Sequence, residues 1–214
     1  MGERELANAL EDLVEARSTP PPALRRGLID ALAAADVGPG ALSYRLLVDA
    51  EGAAAVDVHT SGADDWLRGV ADNLVRFVAT PAGRDLPRWS ATHPRPNAGF
   101  ERHTVNDIRD SHWLAERAKA ADAWYAPNGI GSQLRAMMFG EDVFLGWIGF
   151  YRPEDAPPFK EADRRMLNRH AGRVRLVLER TELGPWRGVD GPASLVCLPD
   201  GSIVGASAAL RAHL

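Results

Sequence analysis

Only one cysteine, Cys197, occurs in the 214 residues. An intramolecular disulfide and a cysteine-based zinc site are therefore both excluded, and a reducing, cytoplasmic setting is the expectation. No apolar run approaches the length of a membrane span. The N-terminal MGERELANALEDLVEARS is polar and acidic, without the apolar centre of a secretory signal. Met1-Gly2 opens as a myristoylation signal does, but Leu6 stands where Ser or Thr is required. Positive charge is in deficit: 25 Lys and Arg against 29 Asp and Glu give a formal charge of -4, which argues against general nucleic-acid affinity. Catalytic motifs are missing too. Gly129-Ile130-Gly131-Ser132 is not a G-x-S-x-G elbow and leads into a strand, and no glycine-rich phosphate loop is present.

What remains is the balance of an ordinary globular chain, 45% hydrophobic and 25% charged. Its length suits one large domain, or one domain and part of another, with a core that needs no covalent staples. Apolar residues at helical spacing predict helices over Glu3–Arg17, Ala23–Ala35, Asp64–Ala79 and Phe159–Leu183, the last with Leu167, Ala171, Val174 and Leu178 as its stripe. Strands are predicted over Ala41–Ala50 and Ala53–His59, joined at Asp49–Gly52. A second pair covers Ser132–Phe139 and Val143–Tyr151, joined at Gly140–Asp142. Thr80–Phe100, rich in Pro, Gly and Arg, reads as a long loop, and Thr104–Ala123 as one or two short helices. Two hairpins with helices between them favour an α+β fold with an antiparallel sheet.

Several stretches carry a family pattern. They are Pro127-Asn128-Gly129-Ile130, Gln133-Leu134-Arg135-Ala136, Gly146-Trp147-Ile148-Gly149-Phe150-Tyr151-Arg152, Pro158-Phe159 and Ala162-Asp163-Arg164-Arg165-Met166-Leu167. In this order they resemble the C-terminal half of a GAF domain, with the Arg135 variant and the Tyr151-Arg152 ending closest to GAF modules of LuxR-type bacterial regulators. The resemblance implies a GAF/PAS-like central antiparallel sheet flanked by helices. It places an N-terminal helix at residues 1–19, a sensor domain at 20–183 and a linker with further structure at 184–214. In that tail, Ser194–Ser207 resembles the opening hairpin of a PAS domain, and a helix is predicted to start at Ala206. Either the tail packs on the main domain or the chain is cut inside a further one. One departure is Lys160, which cannot accept a bond from the first amides of its helix as the family's Ser or Thr does; a frayed start, capped by Asp155, is expected.

The chemistry known on this fold needs particular side chains. Bilin attachment requires a cysteine that Thr80–Gly131 lacks. Sulfoxide reduction requires pocket cysteines, and Cys197 lies beyond the domain. The cyclic-nucleotide signature is absent. A regulatory domain that senses a small molecule without transforming it is the leading expectation, with no cofactor and no metal. His93, His103, His112, Asp107 and Asp110 match no zinc spacing and read as loop residues. The candidate ligand residues are Trp113, Trp124, Tyr125 and Trp147, with His103, Asp107, Asn128 and Arg135 as polar anchors. The competing reading makes the aromatics core and puts Arg135 on a solvent face. Alternation sets Leu134, Ala136 and Met138 against Arg135, Met137 and Phe139 without saying which set meets a pocket. The arginines of the last helix (Arg164, Arg165, Arg169, Arg173, Arg175, Arg180) read as a solvated face rather than a DNA contact. The resemblance further implies a homodimer paired through Glu3–Arg17 and Phe159–Leu183. The alternative function is a pocketless dimerisation scaffold, its pocket filled by Trp124 and Trp147.

Overall fold

The computed structural model describes residues 1–48, 54–78, 80, 99–109, 121–139, 144–183, 195–197 and 203–206. Five antiparallel strands form one sheet: β1 (Ala41–Val48), β2 (Ala54–Ser61), β3 (Glu101–Thr104), β4 (Ile130–Phe139) and β5 (Phe144–Pro153), in the order β2-β1-β5-β4-β3. The α+β class and the antiparallel sheet are as expected. Strand β3 was not foreseen. Its sequence, ERHT, has neither alternation nor β-branched enrichment, and it becomes a strand only by pairing with β4.

Helices cover both faces. On one side lie α1 (Glu3–Glu15), α2 (Pro21–Ala33) and the long α5 (Glu161–Leu183). They bury Leu6, Leu10, Leu24, Leu28, Leu167 and Val174 against Leu134, Ala136, Met138, Ile148 and Phe150 of the sheet. On the other side, α3 (Asp65–Val78), α4 (Val105–Arg109) and a π-helical turn at Ala121–Tyr125 pack on Tyr44, Met137, Trp147 and Tyr151. The period-two alternation of β4 therefore sorts its residues between two cores. Helix α2 starts two residues earlier than the apolar spacing suggested, with proline in its first turn, where the missing amide costs nothing. In α3 the buried stripe uses Leu67, and Trp66 sits at its edge.

Helices α1 and α5 lie together within the chain. Arg169 bonds Glu3 at 2.5 Å, Arg173 bonds Glu11 at 2.6 Å, and Arg180 donates to the carbonyls of Leu13 and Val14, both at 2.8 Å. α1 has no basic residue in its own last turn, so Arg180 supplies from α5 the donors that its final carbonyls need. All six arginines named from the sequence as a possible DNA face have internal partners: Arg164 and Arg165 share Glu161, and Arg175 bonds Glu179.

The start of α5 differs from expectation. Asp163, not Asp155, accepts the backbone amide of Lys160, at 2.8 Å. This is the return half of a capping box, so the helix begins cleanly although Lys160 offers no oxygen. Just before it, Arg152 ties the Pro-rich connection down. It donates to the carbonyls of Pro157 (2.9 Å) and Val37 (2.7 Å), and lies 4.3 Å from the centre of the buried Phe159 ring. In the tail, β6 (Leu195–Cys197) and β7 (Ile203–Ala206) form the anticipated hairpin. Ala206 closes β7 instead of opening a helix; residues 207–214 and most of the Thr80–Phe100 loop lie outside the described residues.

Two outcomes follow for stability. Replacing Asp163 by Ala should cost about 1 kcal/mol, and Asp155→Ala close to nothing, read from urea midpoints. His170 is buried beneath α1, 3.6 Å from Glu3. Burial holds its pKa below the ordinary value; Glu3 opposes the shift, and Arg173 and Arg169 add to it. The unfolded chain then binds its proton first. The stability this contributes is complete above about pH 6.5 and is lost as pH falls below that. In His170→Phe the decline of the urea midpoint between about pH 7 and 5 should be shallower.

Candidate ligand-binding site

The face of the sheet that carries Arg135 lies under α3, α4 and the π-helical turn. Register stacks its side chains in three rows. Tyr44, Trp147 and Met137 form one, and Tyr151, Gln133 and His103 another. Between them runs Leu42, Gly149, Arg135 and Glu101. Gly149 has no side chain, so the middle row has a gap beside Arg135. The two backbones are also unusually close there. A Cβ at Gly149 would meet the Leu134 carbonyl oxygen at 2.7 Å and the Arg135 Cα at 2.8 Å.

Arg135 reaches across this gap. Its Nη1 donates to the hydroxyls of Tyr44 (3.0 Å) and Tyr125 (3.2 Å), and the Tyr125 hydroxyl donates to Gln133 Oε1 at 2.8 Å. Among the described residues no carboxylate pairs with it. Burial works against its charge, the oxygens of Tyr125, Tyr44 and Tyr151 outweigh that, and the guanidinium stays protonated. Burial, followed by Tyr44 and Tyr125, drives the Tyr151 hydroxyl well above its ordinary pKa; Arg135 offsets this only in part, and the phenol is neutral. The result is a cation set into the protein, bonded through Nη1 to two phenolic hydroxyls. Two buried donors nearby, Gln133 Nε2 and Trp124 Nε1, have no hydrogen-bond partner among the described residues. A buried donor left unmade costs about 1–3 kcal/mol, so such groups mark places where a structure is not optimised for stability alone.

The sequence candidates separate into three groups. Arg135 and Tyr125 are brought together as polar elements of one site. Trp124 and Trp147 belong to the core beneath α3: Trp147 stacks on Tyr44 at 4.8 Å, and Trp124 lies edge-on to Tyr125 at 4.8 Å and to Tyr151 at 5.8 Å. Asn128, Asp107 and His103 have structural partners. Asn128 donates to the Trp124 carbonyl (2.6 Å) and accepts from Asn73 (2.7 Å), while its own carbonyl accepts from Trp66 Nε1 (3.1 Å). It pins the π-helical turn to α3. Asp107 closes a capping box with Thr104 at the start of α4, and those bonds hold its carboxyl below the usual range. His103 stands opposite Gln133 at the rim and pairs with Glu101 at 3.2 Å. Trp113 lies outside the described residues.

Sequence reasoning missed Tyr44, Gln133 and Tyr151 as members. Alternation along β4 puts Gln133 beside Arg135, a signal that was there to use. Tyr44 is 91 residues away and needs the β1–β5 register to arrive.

No protein-family model matches the chain, and no curated protein does. Among solved structures it is similar to a domain assigned to a two-component sensor histidine kinase from Sinorhizobium meliloti. The identity is 17%, over 80% of this chain and 100% of that one, with a TM-score of 0.45. It is also similar to the GAF domain of the phosphoenolpyruvate-protein phosphotransferase from Acinetobacter, at 12% identity over 89% of this chain and 100% of that one, with a TM-score of 0.46.

Gly149→Ala should destabilise the protein by about 1–3 kcal/mol, because the clash is with backbone that cannot yield. Gly172, inside α5 with open space where its Cβ would be, provides the control. Gly172→Ala should stabilise by about 0.5–1 kcal/mol. Parallel urea titrations of the two variants check both.

Proposed function

We propose that the chain is a GAF-like sensory domain of a bacterial signalling protein or transcriptional regulator. It binds a small molecule on the sheet face around Arg135 and passes the change on without chemistry. The observation that carries this reading is Arg135 itself, an inward-facing cation held by two tyrosine hydroxyls with no carboxylate paired to it among the described residues. A core built only for stability has no use for such a group, since a buried charge costs free energy unless paired. Transmission runs through the sheet. Leu134 and Ala136 flank Arg135 in sequence and pack on the opposite side in the core that α1 and α5 share. A ligand that shifts β4 therefore acts on both layers. In this reading the domain is cytoplasmic and acts as a homodimer through α1 and α5, where Leu176 is an exposed apolar side chain of α5. The segment makes no direct contact with nucleic acid, since the α5 arginines are occupied by their own partners. Among the described residues no helix is long and apolar enough to cross a membrane.

A second reading has an observation of its own. Trp124 and Trp147 are 3% and 1% exposed and fill the space between sheet and α3, as a pocketless dimerisation scaffold would require.

Arg135→Met separates the two. If the arginine is kept for a ligand, the unliganded protein should be as stable as before, or more stable by about 1–4 kcal/mol, as when buried ionic groups give way to apolar ones. If it is a structural part of a scaffold, removing it leaves the Tyr44 and Tyr125 hydroxyls without their donor and the protein should lose about 1–3 kcal/mol. For the dimer, Leu176→Asp should shift the molar mass measured by light scattering toward the monomer while the circular dichroism spectrum stays unchanged.

A further inference from the structure

The hydrogen bonds that Arg135 makes all leave from one nitrogen. Nη1 serves both Tyr44 and Tyr125. Neither Nε nor Nη2 bonds any described residue, and the residue retains part of its solvent exposure. The guanidinium is thus fixed at one corner, with its Nε–Nη2 edge bonded to no described residue. That edge presents two parallel N–H groups, the fork that matches two oxygens of one oxyanion. The nearest polar neighbours extend the same preference. Gln133 accepts from Tyr125 through Oε1, which leaves its buried Nε2 amide as a donor without a partner. The one carboxylate placed opposite Arg135 by register, Glu101, is half exposed and turned to His103 at 3.2 Å. Its position leaves Arg135 unneutralised.

We infer that the ligand is a small carboxylate, held in a two-point bond by the Nε–Nη2 edge of Arg135. The inference rests on the sensory reading above and deepens it. Charge decides between carboxylate and phosphate. The site offers one full positive charge, and the Tyr151 hydroxyl, held well above its ordinary pKa, does not ionise to alter that count. A monocarboxylate neutralises it one for one. A phosphate near neutral pH brings close to two negative charges and would leave one buried without a partner. The two tyrosine hydroxyls orient the guanidinium, and their loss weakens the fork without removing its charge.

The test is a thermal-shift titration of the whole chain with short monocarboxylates, their matched primary amides, and inorganic and organic phosphates, each at about 10 mM. A carboxylate whose dissociation constant is a hundredth of that concentration should raise the melting temperature by about 5 °C. The matched amide should give no shift. Arg135→Lys keeps the charge but not the fork, so it should bind at least tenfold more weakly. Arg135→Met should not respond. Tryptophan emission gives an independent readout of binding in each variant, since Trp147 and Trp124 border the site. A shift with no carboxylate overturns the inference. Phosphates or amides that bind as well as carboxylates, and lose their effect in Arg135→Lys and Arg135→Met, also overturn it while leaving the sensory reading in place. A carboxylate response retained in both variants places the binding elsewhere and overturns both.

Discussion

At Gly149 the backbone of β5 comes so near β4 that no side chain fits between them. This one contact fixes much of the rest. It leaves a gap in the middle row of the sheet face, and a long arginine from β4 crosses that gap to reach the hydroxyl of Tyr44 on β1. Because strand side chains alternate with a period of two, fixing Arg135 on this face fixes Leu134 and Ala136 on the other, where they enter the core with α1, α2 and α5. A one-residue slip would bury Leu134 among phenols and set Arg135 against leucines. The register is held by that cost as well as by the ladder itself.

The two faces are built to different standards. The one against α1, α2 and α5 is mostly aliphatic, with Phe150 and Phe159 among its leucines and the buried polar groups of Arg25 and His170 set into it, and its helices are tied at their edges by ion pairs and by the Arg180 cap on α1. Exposed ion pairs are worth little each, so most of the holding energy there comes from apolar burial. The other face is aromatic and carries a charge. Its apolar volume is filled by Trp124, Trp147 and Phe77, yet its polar groups are not all matched: among the described residues Gln133 Nε2 and Trp124 Nε1 lack acceptors, and Arg135 lacks an anion. Filling and mismatch together narrow what this surface is for. A large apolar ligand has no room where the tryptophans sit, whereas a small polar one would satisfy groups that are otherwise unsatisfied.

Much of this was legible in the sequence, and the exceptions have physical causes. The apolar stripes of α2 and α5 point inward as their spacing required, because a stripe has only one way to leave water. Both large strand pairs formed where alternation placed them, while the turns expected to join them, at 49–52 and 140–142, lie outside the described residues. Strand β3 could not be read, since ERHT acquires its extended form from a partner some thirty residues away. Asp163 caps α5 although Lys160 offers no oxygen, because either half of a capping box can hold a helix start. Of the site candidates, Arg135 and Tyr125 meet; His103, Asp107 and Asn128 are polar residues whose partners lie within four residues or on an adjacent element. Residue type near a loop said that they were polar, but only the three-dimensional register said to whom they bond.

That distinction bears on how Arg135 differs from the other arginines. Arg152 and Arg180 each meet backbone carbonyls and join separate elements, so the cost of holding them is returned as fixed geometry. Arg135 joins only tyrosines that already stack in the aromatic layer: Tyr44 lies on Trp147, and Tyr125 lies against Trp124. Its two bonds add little order to side chains that packing has placed. With one corner bonded and its Nε–Nη2 edge bonded to no described residue, its charge is met by phenol oxygens alone, and no carboxylate among the described residues offsets the cost that remains. In a marginally stable protein such a cost persists where the group has a use outside folding, and the use proposed for this inward-facing guanidinium fork is the recognition of an anion.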